Sequence, residues 1–346
     1  MSKKRVKIFM TGGTGFLGKE VVRILKNSPL VDLRVLSRTA NTGLTGDLSL
    51  WNAGLDLKPL AKEKFDVFLH LAGLYDLNAP YHEIIVNNVF GTNTSLKLTQ
   101  ELDIPIFINA SSVAAVSNMS GVVSPYESHL INPFPDPYSE GKALTEVQIQ
   151  NWPNKNLKKI NLRLGVLVGN SNNGEIQRVD GPYKAVQGFL KLRNYIENWP
   201  GIFLLPGNEQ VKLPFVPVDV AAEAIVNILN HSLSESESHD KLQNYYSYHI
   251  TPKKGVGLRD FYSSVMRHLN FKKSEFKLIK ELPANLTAEI ANRIFEFPKE
   301  QLKYALSLPE FSSVETTKVL GDHWCPEYFD YEQTFWSGYE KFVSHS

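Results

Sequence analysis

The sequence predicts an α/β protein of the Rossmann type, a doubly wound parallel sheet with a smaller C-terminal substrate lobe. Three observations carry this expectation. Short apolar runs alternate with helical segments through the first half of the chain, the spacing of βαβ units and a parallel sheet. The first run opens Lys7–Gly18, KIFMTGGTGFLG, which holds four glycines within seven residues. The polar candidates fall after the apolar runs, at the carboxyl ends of the expected strands, where ligands of open α/β sheets collect.

Val6–Met10 reads as the first strand and Phe16–Lys26 as the first helix, with Val21, Val22, Ile24 and Leu25 giving it an apolar face. The loop between them is G-x-G-x-x-G counted from Gly13, or G-x-x-G-x-x-G counted from Gly12. A pyrophosphate needs backbone N–H groups aimed at it, with no side chain in the way, at the positive end of a helix. Glycines permit that approach, and Gly18 lets helix pack on strand. A plain structural turn is the competing account, and the strand before the loop and the helix after it count against it.

Val31–Leu36 is the second strand, with Ser37 and Arg38 at its carboxyl end. A carboxylate there would accept from ribose hydroxyls, whereas a hydroxyl followed by a guanidinium suits a 2′-phosphate. NADP(H) is therefore favoured over NAD(H), a solvated strand-end charge being the alternative for Arg38. Asp47, in the turn Thr45–Leu48, either reaches the adenine edge or serves the turn. Phe65–Leu71 is a third strand followed by the small Ala72 and Gly73. A helix over about Glu83–Glu101 contains Asn88, and Ile104–Ala110 is a fourth strand that delivers Ser111 and Ser112.

Asp136 and Pro137 open the next helix as N-cap and first helical residue, with Leu144, Val147 and Ile149 as its expected buried side. Tyr138 and Lys142 are four apart and share a face. An ammonium beside a phenol lowers its pKa and eases proton exchange near neutral pH. Lys159–Val168 is expected as one strand, Gly169–Gly174 as a polar loop and Val211–Val218 as another strand. Asp219 should cap a helix over Val220–Leu229, with a polar loop at Ser232–Asp240. From Tyr245 onward the chain mixes one short strand with several helices. These elements divide the chain into a Rossmann core over residues 1–170 and a segment over 171–346 that returns elements near 211–230 to the core and builds the lobe.

The 346 residues carry 37 basic and 36 acidic side chains, a net charge of +1, so no general field draws the chain to nucleic acid or a membrane surface. One cysteine, Cys325, excludes an internal disulfide and reads as a small packed side chain. No apolar stretch nears the roughly 20 residues that span a bilayer, and the basic start leads into the glycine loop rather than a signal-peptide core. A cytoplasmic, soluble protein is expected. The nine histidines show no ligand-spaced cluster, so no metal is expected.

TGGTGFLG, Asp47-Leu48, HLAG at His70–Gly73, NVFGT at Asn88–Thr92, Ser111-Ser112, YSEGK from Tyr138 and LPFVPVDVAAEAI at Leu213–Ile225 together resemble the extended short-chain dehydrogenase/reductase family. LAGLYDL at Leu71–Leu77, the loop Gly169–Tyr183 and the VPVD segment are similar to its thioester-reductase and fatty acyl-CoA reductase-like branch. The resemblance implies that Ser112 polarises a substrate carbonyl, with Ser111 the runner-up, that Tyr138 donates a proton, and that Lys142 holds the nicotinamide ribose and tunes the tyrosine. It places cofactor contacts at Gly12, Thr14, Gly15, Phe16, Leu17, Ser37, Arg38, Asp47, Leu48, Leu71, Ala72, Gly73, Asn88, Tyr138, Lys142 and Gly165. For Asn88 a structural role competes. The family's Arg-Pro pair is Arg163-Leu164 here, which removes a rigid residue but no reacting group.

The resemblance implies NADP(H)-dependent reduction of an acyl thioester, on coenzyme A or a carrier, and is compatible with a homodimer through paired helices. Tyr183, Phe189, Leu190, Tyr195, Trp199 and Phe203 are candidates for an acyl channel, ordinary core being the competing account. Lys184, Lys191 and Arg193 are candidates for phosphate contacts, against a solvated helix face. Two other functions fit the same residues: an epimerase or dehydrogenase acting on a sugar nucleotide or sterol-like hydroxyl, and a cofactor-sensing protein without chemistry.

Overall fold

The computed structural model describes residues 5–39, 43–128, 130–234, 244–280 and 299–345. In chain order the strands are β1 (Val6–Thr11), β2 (Val31–Ser37), β3 (Gly43–Thr45), β4 (Val67–His70), β5 (Ile106–Ser112), β6 (Val122–Val123), β7 (Lys158–Leu164), β8 (Val166–Val168), β9 (Phe203–Pro206), β10 (Lys212–Leu213), β11 (Phe215–Pro217) and β12 (Tyr245–Ile250). Seven of them form one sheet in the order β3-β2-β1-β4-β5-β7-β12, every pair parallel. The order reverses beside β1, which makes a topological switch point at the end of the glycine strand.

The sheet is sandwiched between helices. Helices α1 (Phe16–Lys26), α2 (Leu57–Ala61), α3 (Tyr81–Ile84), α4 (Gly91–Glu101), α5 (Pro137–Gln150), α6 (Pro182–Asn198), α7 (Val218–Ser234) and α8 (Leu258–His268) follow in chain order, a single π-type turn over Ile85–Phe90 joining α3 to α4. Strand alternation sorts the side chains. Ile8, Met10, Val67, Leu69, Ile108 and Leu162 face α1 and α7, while Phe9, Phe68 and Phe107 face α4 and α5.

On that second face successive ladder rows change character toward the carboxyl edge. Phe9, Phe68 and Phe107 are register partners with ring centroids 4.9 and 5.6 Å apart. Two residues on, the row reads Thr11, His70, Asn109, Asn161 and Ser247, and the next reads Ser111, Arg163 and His249. All are buried. The apolar rows hold the layers together, and the polar rows bring hydrogen-bonding groups to the edge where the site lies.

Several elements differ from expectation. The strand expected over Lys159–Val168 breaks at Gly165, where a Cβ would lie 2.4 Å from the Pro214 carbonyl oxygen, and β8 leaves the sheet to pair with β11. The expected Val211–Val218 strand divides at Pro214, which has no N–H to continue a ladder. Asp219 does not cap its helix: α7 starts at Val218, and the carboxylate accepts from Ser171 N at 2.9 Å, Ser171 Oγ at 2.6 Å and Asn172 Nδ2 at 2.9 Å. Ser232–Ser234 belong to α7, and the rest of the expected polar loop lies outside the described residues. On α5, Ile149 is buried but Leu144 and Val147 are only half-buried, because the helix turns Thr145 and Glu146 toward the polar rows. After Tyr245 there are three further short strands beyond β12, namely β13 (Val256–Gly257), β14 (Phe276–Ile279) and β15 (Glu310–Phe311).

A second core gathers α6, α8 and the helix Tyr328–Ser344 around Phe189, Phe215, Phe261, Phe335 and Trp336. Tyr183 and Phe335 stack there at 4.4 Å. The loop before α6 docks on the last helix through two glycines: a Cβ on Gly338 would fall 1.8 Å from the Gly174 carbonyl oxygen. Gly338→Ala is expected to destabilise the protein by about 1–3 kcal/mol through overpacking, despite alanine's ~1 kcal/mol advantage in a helix interior. Urea unfolding measures the balance, and a raised midpoint would contradict the close contact.

Candidate active site

Gly12 sits at φ +77°, and a Cβ there would lie 2.4 Å from both Leu71 C and Ala72 N, so only glycine lets β1 turn under the end of β4. A Cβ on Gly18 would meet the Gly12 carbonyl oxygen at 2.0 Å. The turn delivers α1 with Gly15 as N-cap and no side chain capping its first turn. Gly15, Phe16, Leu17 and Gly18 instead line a cavity of about 660 Å³. A helix start with orphan N–H donors, no carboxylate in its first turn and a side-chain-free approach fits a pyrophosphate.

Across the cavity, β5 and α5 present the hydroxyl and amine groups. Asp136 caps α5, accepting from Ser139 N at 2.8 Å, and Pro137 occupies the first turn. Tyr138 and Lys142 both line the cavity, as does Ser112. Ser112 lies beside Tyr138 and lowers its pKa, and its Oγ accepts from Ala114 N at 3.2 Å. Lys142 Nζ donates to Ala110 O at 2.9 Å and lies 5.9 Å from the Tyr138 ring centroid. Alternation along β5 separates the two serines: Ser111 Oγ turns inward and donates to Glu146 Oε1 at 2.5 Å.

Tyr138 is 6% exposed, and burial beside Asp136 and Asp180 raises its pKa well above the ordinary phenol value, against a lowering by Ser112. The expected lowering by Lys142 is not found, because the ammonium is directed at Ala110 O. The phenol therefore stays protonated, as a proton donor must. Burial lowers Lys142 to about 8, with Glu146 pulling the other way.

Asn88 is committed to the loop that carries Gly73. Its Oδ1 accepts from Leu74 N at 2.7 Å and its Nδ2 donates to Leu74 O at 3.0 Å. A Cβ on Gly73 would approach Asn88 Oδ1 to 3.3 Å and Lys142 Nζ to 3.5 Å, so the clamp holds a backbone edge open beside the amine. Asn88 is the buried residue of the π-type turn that joins α3 to α4.

The remaining sequence candidates separate. Leu71, Gly73 and Gly165 line the cavity. Thr14 lies in the glycine turn, and Ala72 N approaches Thr11 Oγ1 at 3.4 Å. Ser37 and Arg38 lie at the carboxyl end of β2, next to β1, with Arg38 exposed. Asp47 Oδ1 accepts from Ser49 N at 2.9 Å, the geometry of a turn residue, and Arg38 helps hold its carboxyl below the usual range after the Ser49 bonds. Leu48 packs near Gly91.

Of the six aromatic and aliphatic channel candidates, Tyr183 alone lines the cavity. Phe189 and Phe203 are core, and Leu190, Tyr195 and Trp199 are exposed. Among the basic candidates, Arg193 is spent on Leu269 O and the Phe271 ring, and Lys184 lies 3.9 Å from Asp180. Cys325 is half-buried, its thiol pushed up to about 12 by burial and Asp219, which suits packing rather than nucleophilic work.

Sequence reasoning missed four groups near Tyr138. Tyr75 packs edge-on against it at 5.2 Å, and Arg178 stacks on Tyr75 at 5.2 Å while pairing with Asp180 at 2.9 Å. Tyr304 donates to Asp136 Oδ2 at 2.8 Å from the helix Lys299–Leu306. These contacts join segments remote in sequence, and no local pattern announces them. The apolar part of the lining, including Phe215, Leu258, Phe261, Tyr262, Leu302 and Leu308, is equally dispersed.

The family model NAD_binding_4, described as male sterility protein, matches residues 41–225, more than half of the chain. The chain belongs to this family. The male sterility family lies within the extended short-chain dehydrogenase/reductases, a class of NAD(P)-dependent oxidoreductases, on their thioester-reductase branch. Among curated proteins, the chain is 22% identical to L-2-aminoadipate reductase of Schizosaccharomyces pombe over 81% of its own length and 23% of the relative's. It is 26% identical to dTDP-D-glucose 4,6-dehydratase of Dictyostelium discoideum over 48% of its length and 43% of the relative's. It thus spans less than half the length of these curated relatives.

Among solved structures, the terminal R domain of the myxalamid PKS-NRPS pathway superposes with a TM-score of 0.73 at 18% identity, covering 100% of this chain and 92% of that one. A UDP-glucose-4-epimerase from Stenotrophomonas maltophila with bound NAD gives 0.69 at 13% identity, covering 99% and 100%. At these identities the superpositions establish a shared fold.

Two buried histidines make stability pH-dependent. Burial, helped by Lys142, lowers His70 to about 3, and burial with Arg163 lowers His249 to about 4. Below the ordinary value of 6.5 the unfolded chain binds protons that the folded protein refuses, so stability falls as pH drops from about 6.5 toward 4. Denaturant midpoints across that range should decline, and the decline should be shallower in His70→Gln. An unchanged slope in the variant would contradict a neutral, buried His70.

Proposed function

We propose that this protein is an NADPH-dependent reductase that acts on an acyl thioester. The observation that carries the reading is one cavity in which Ser112, Tyr138 and Lys142 share a wall system with the uncapped start of α1 and a predominantly apolar lining from the C-terminal half. A sugar nucleotide asks for many fixed hydrogen-bond partners, whereas an acyl chain asks for apolar walls. Phe261, Tyr262, Leu302 and Leu308 suit the second.

In this reading Gly12, Gly15, Phe16 and Leu17 receive the pyrophosphate, Arg38 receives the 2′-phosphate, and Lys142, beside Gly73, receives the nicotinamide ribose. When bound, the dinucleotide supplies the hydride. Ser112 and Tyr138 donate hydrogen bonds to the thioester carbonyl oxygen, where negative charge grows. Tyr138 then gives its phenolic proton to that oxygen, and the resulting hemithioacetal loses thiol to leave the aldehyde. The fully buried phenol is suited to this step because it holds its proton until a developing oxyanion draws it away. Lys142, whose Nζ is directed at Ala110 O, serves the ribose rather than the phenol.

Absorbance-monitored NADPH oxidation with acyl-CoA thioesters of increasing chain length, and with the matching aldehydes, tests the reading. Turnover should fall about 10²–10⁴-fold in Tyr138→Phe, the usual worth of a positioned acid. Tight NADPH binding with no turnover on either series would reject free acyl-CoA and simple aldehydes as substrates. Arg38→Ala should weaken NADPH about tenfold or more, the ~1.5 kcal/mol scale of a charge-assisted hydrogen bond, and leave NADH nearly unchanged. Equal losses would remove the 2′-phosphate assignment.

A further inference from the structure

Tyr138 stands in the first turn of α5, where backbone N–H groups have no partners within the helix and the cap fixes the chain. Asp136 is that cap, and its carboxylate accepts from Ser139 N at 2.8 Å. Asp136 and Ser139 bracket Tyr138, and both meet one further hydroxyl. Tyr304 OH donates to Asp136 Oδ2 at 2.8 Å and lies 2.6 Å from Ser139 Oγ, which itself donates to Asp136 Oδ1 and Oδ2 at 3.0 and 3.1 Å. Asp136 and Ser139 are buried, so no bulk water stands ready to replace the Tyr304 hydroxyl. Burial and Asp136 hold the Tyr304 phenol well above its ordinary pKa, so it remains a donor.

Tyr304 belongs to α9 (Lys299–Leu306), a helix of the C-terminal segment. Its neighbour Lys303 donates through Nζ to Pro135 O at 2.5 Å, so two successive residues grip the chain entering α5. At its carboxyl end α9 is held by the lobe: Asn208 N donates to Ala305 O at 3.0 Å, and Asn208 Nδ2 to Leu306 O at 3.3 Å. Leu302, Ala305 and, just beyond the helix, Leu308 line the cavity together with Tyr304. One helix thus joins the apolar wall to the cap of α5.

We propose that Tyr304 is a positioning residue for Tyr138: an acyl chain lying on Leu302, Ala305 and Leu308 holds α9 in place, and the Tyr304 hydroxyl passes that constraint to the two residues that bracket Tyr138. Contacts far from the reacting carbon are thereby spent on orienting the proton donor. The acyl chain in this inference rests on the reductase reading. A brace that served the fold alone would lower stability and leave the turnover of the folded protein unaltered for every substrate.

The test is Tyr304→Phe, which keeps the ring in the cavity wall and removes the hydroxyl. In NADPH oxidation with acyl-CoA thioesters of increasing chain length, wild-type kcat should rise once the chain reaches α9. The variant should lose that rise, its kcat falling about tenfold for the longest chains, a loss well within what a misplaced reacting group produces. Its KM should keep the wild-type dependence on length, because the walls are unchanged. A wild-type kcat that ignores chain length, or a variant series that parallels the wild type's, overturns the proposal.

A second readout needs no turnover. In the free protein carrying ¹³C at the tyrosine ζ carbons, with the Tyr138 signal assigned through Tyr138→Phe, Tyr304→Phe should shift or broaden that signal. Lys303→Ala, which removes the grip on Pro135 O from an exposed position, should do so to a smaller extent, and it supplies the readout if Tyr304→Phe fails to fold. An unmoved Tyr138 signal in a folded variant overturns the positioning role. A moved signal in a protein whose wild type turns over no thioester sinks the reductase reading and leaves the link from Tyr304 to Tyr138 standing. Thioester turnover with an unmoved signal does the reverse.

Discussion

Adjacent residues of β5 leave the strand on opposite sides, and α5 supplies a partner to each. Ser111 turns inward to the buried Glu146 and Ser112 turns outward to Tyr138. A strand repeats every two residues and a helix every 3.6, so the two elements can match over only a short stretch, and here that stretch is Ala110–Ser112 against Tyr138–Glu146. A one-residue slip of β5 would turn the Ser111 hydroxyl toward Tyr138 and put a hydroxyl-free position beneath Glu146. The Glu146–Arg163 pair fixes the register, since a carboxylate at this depth cannot be left without its partners. Losing one member of a buried pair costs about 3–5 kcal/mol.

The rest of the sheet supports this meeting by grading its interior. The stacked Phe9–Phe68–Phe107 row holds the layers, and the polar rows beyond it would be a burden anywhere but near the carboxyl edge. His70 has partners on both ring nitrogens: Thr11 Oγ1 and Ser95 Oγ lie 2.8 and 3.2 Å from Nδ1, and Thr92 Oγ1 lies 3.2 Å from Nε2. Buried polar networks of this kind specify a geometry when complete and destabilise when broken. The glycine turn adds a steric constraint of its own, because β1, β4 and α1 approach too closely at Gly12 and Gly18 for any Cβ.

Much of this was legible in the sequence because it is local. The strand, glycine turn and first helix, the N-cap at Asp136 and the four-residue spacing of Tyr138 and Lys142 all obey short-range rules, and α1 has the bounds its pattern implies. The preference for Ser112 over Ser111 came from the family resemblance, and strand alternation gives it a physical reason once the partner of Ser111 is visible. What could not be read depends on tertiary approach. Gly165 looks like a tolerated residue within a strand until Pro214 O is seen pressed against it. The exposed Trp199 and Tyr195 look like pocket residues because amphipathic spacing marks a buried face without saying which cavity that face meets. The high pKa of Tyr138 reflects desolvation and two carboxylates from different segments, and so has no sequence signature.

In the proposed reductase reaction hydrogen passes from the cofactor to an acyl carbon within the apolar cavity. The most direct measurement is a single-turnover reaction with NADPH deuterated at nicotinamide C4 and an acyl thioester, followed by mass spectrometry of the product. One deuterium is expected on the former carbonyl carbon, with thiol released in equal amount. Deuterium retained on the cofactor with no thiol released, or an internally recycled nicotinamide with a sugar nucleotide as substrate, would contradict it.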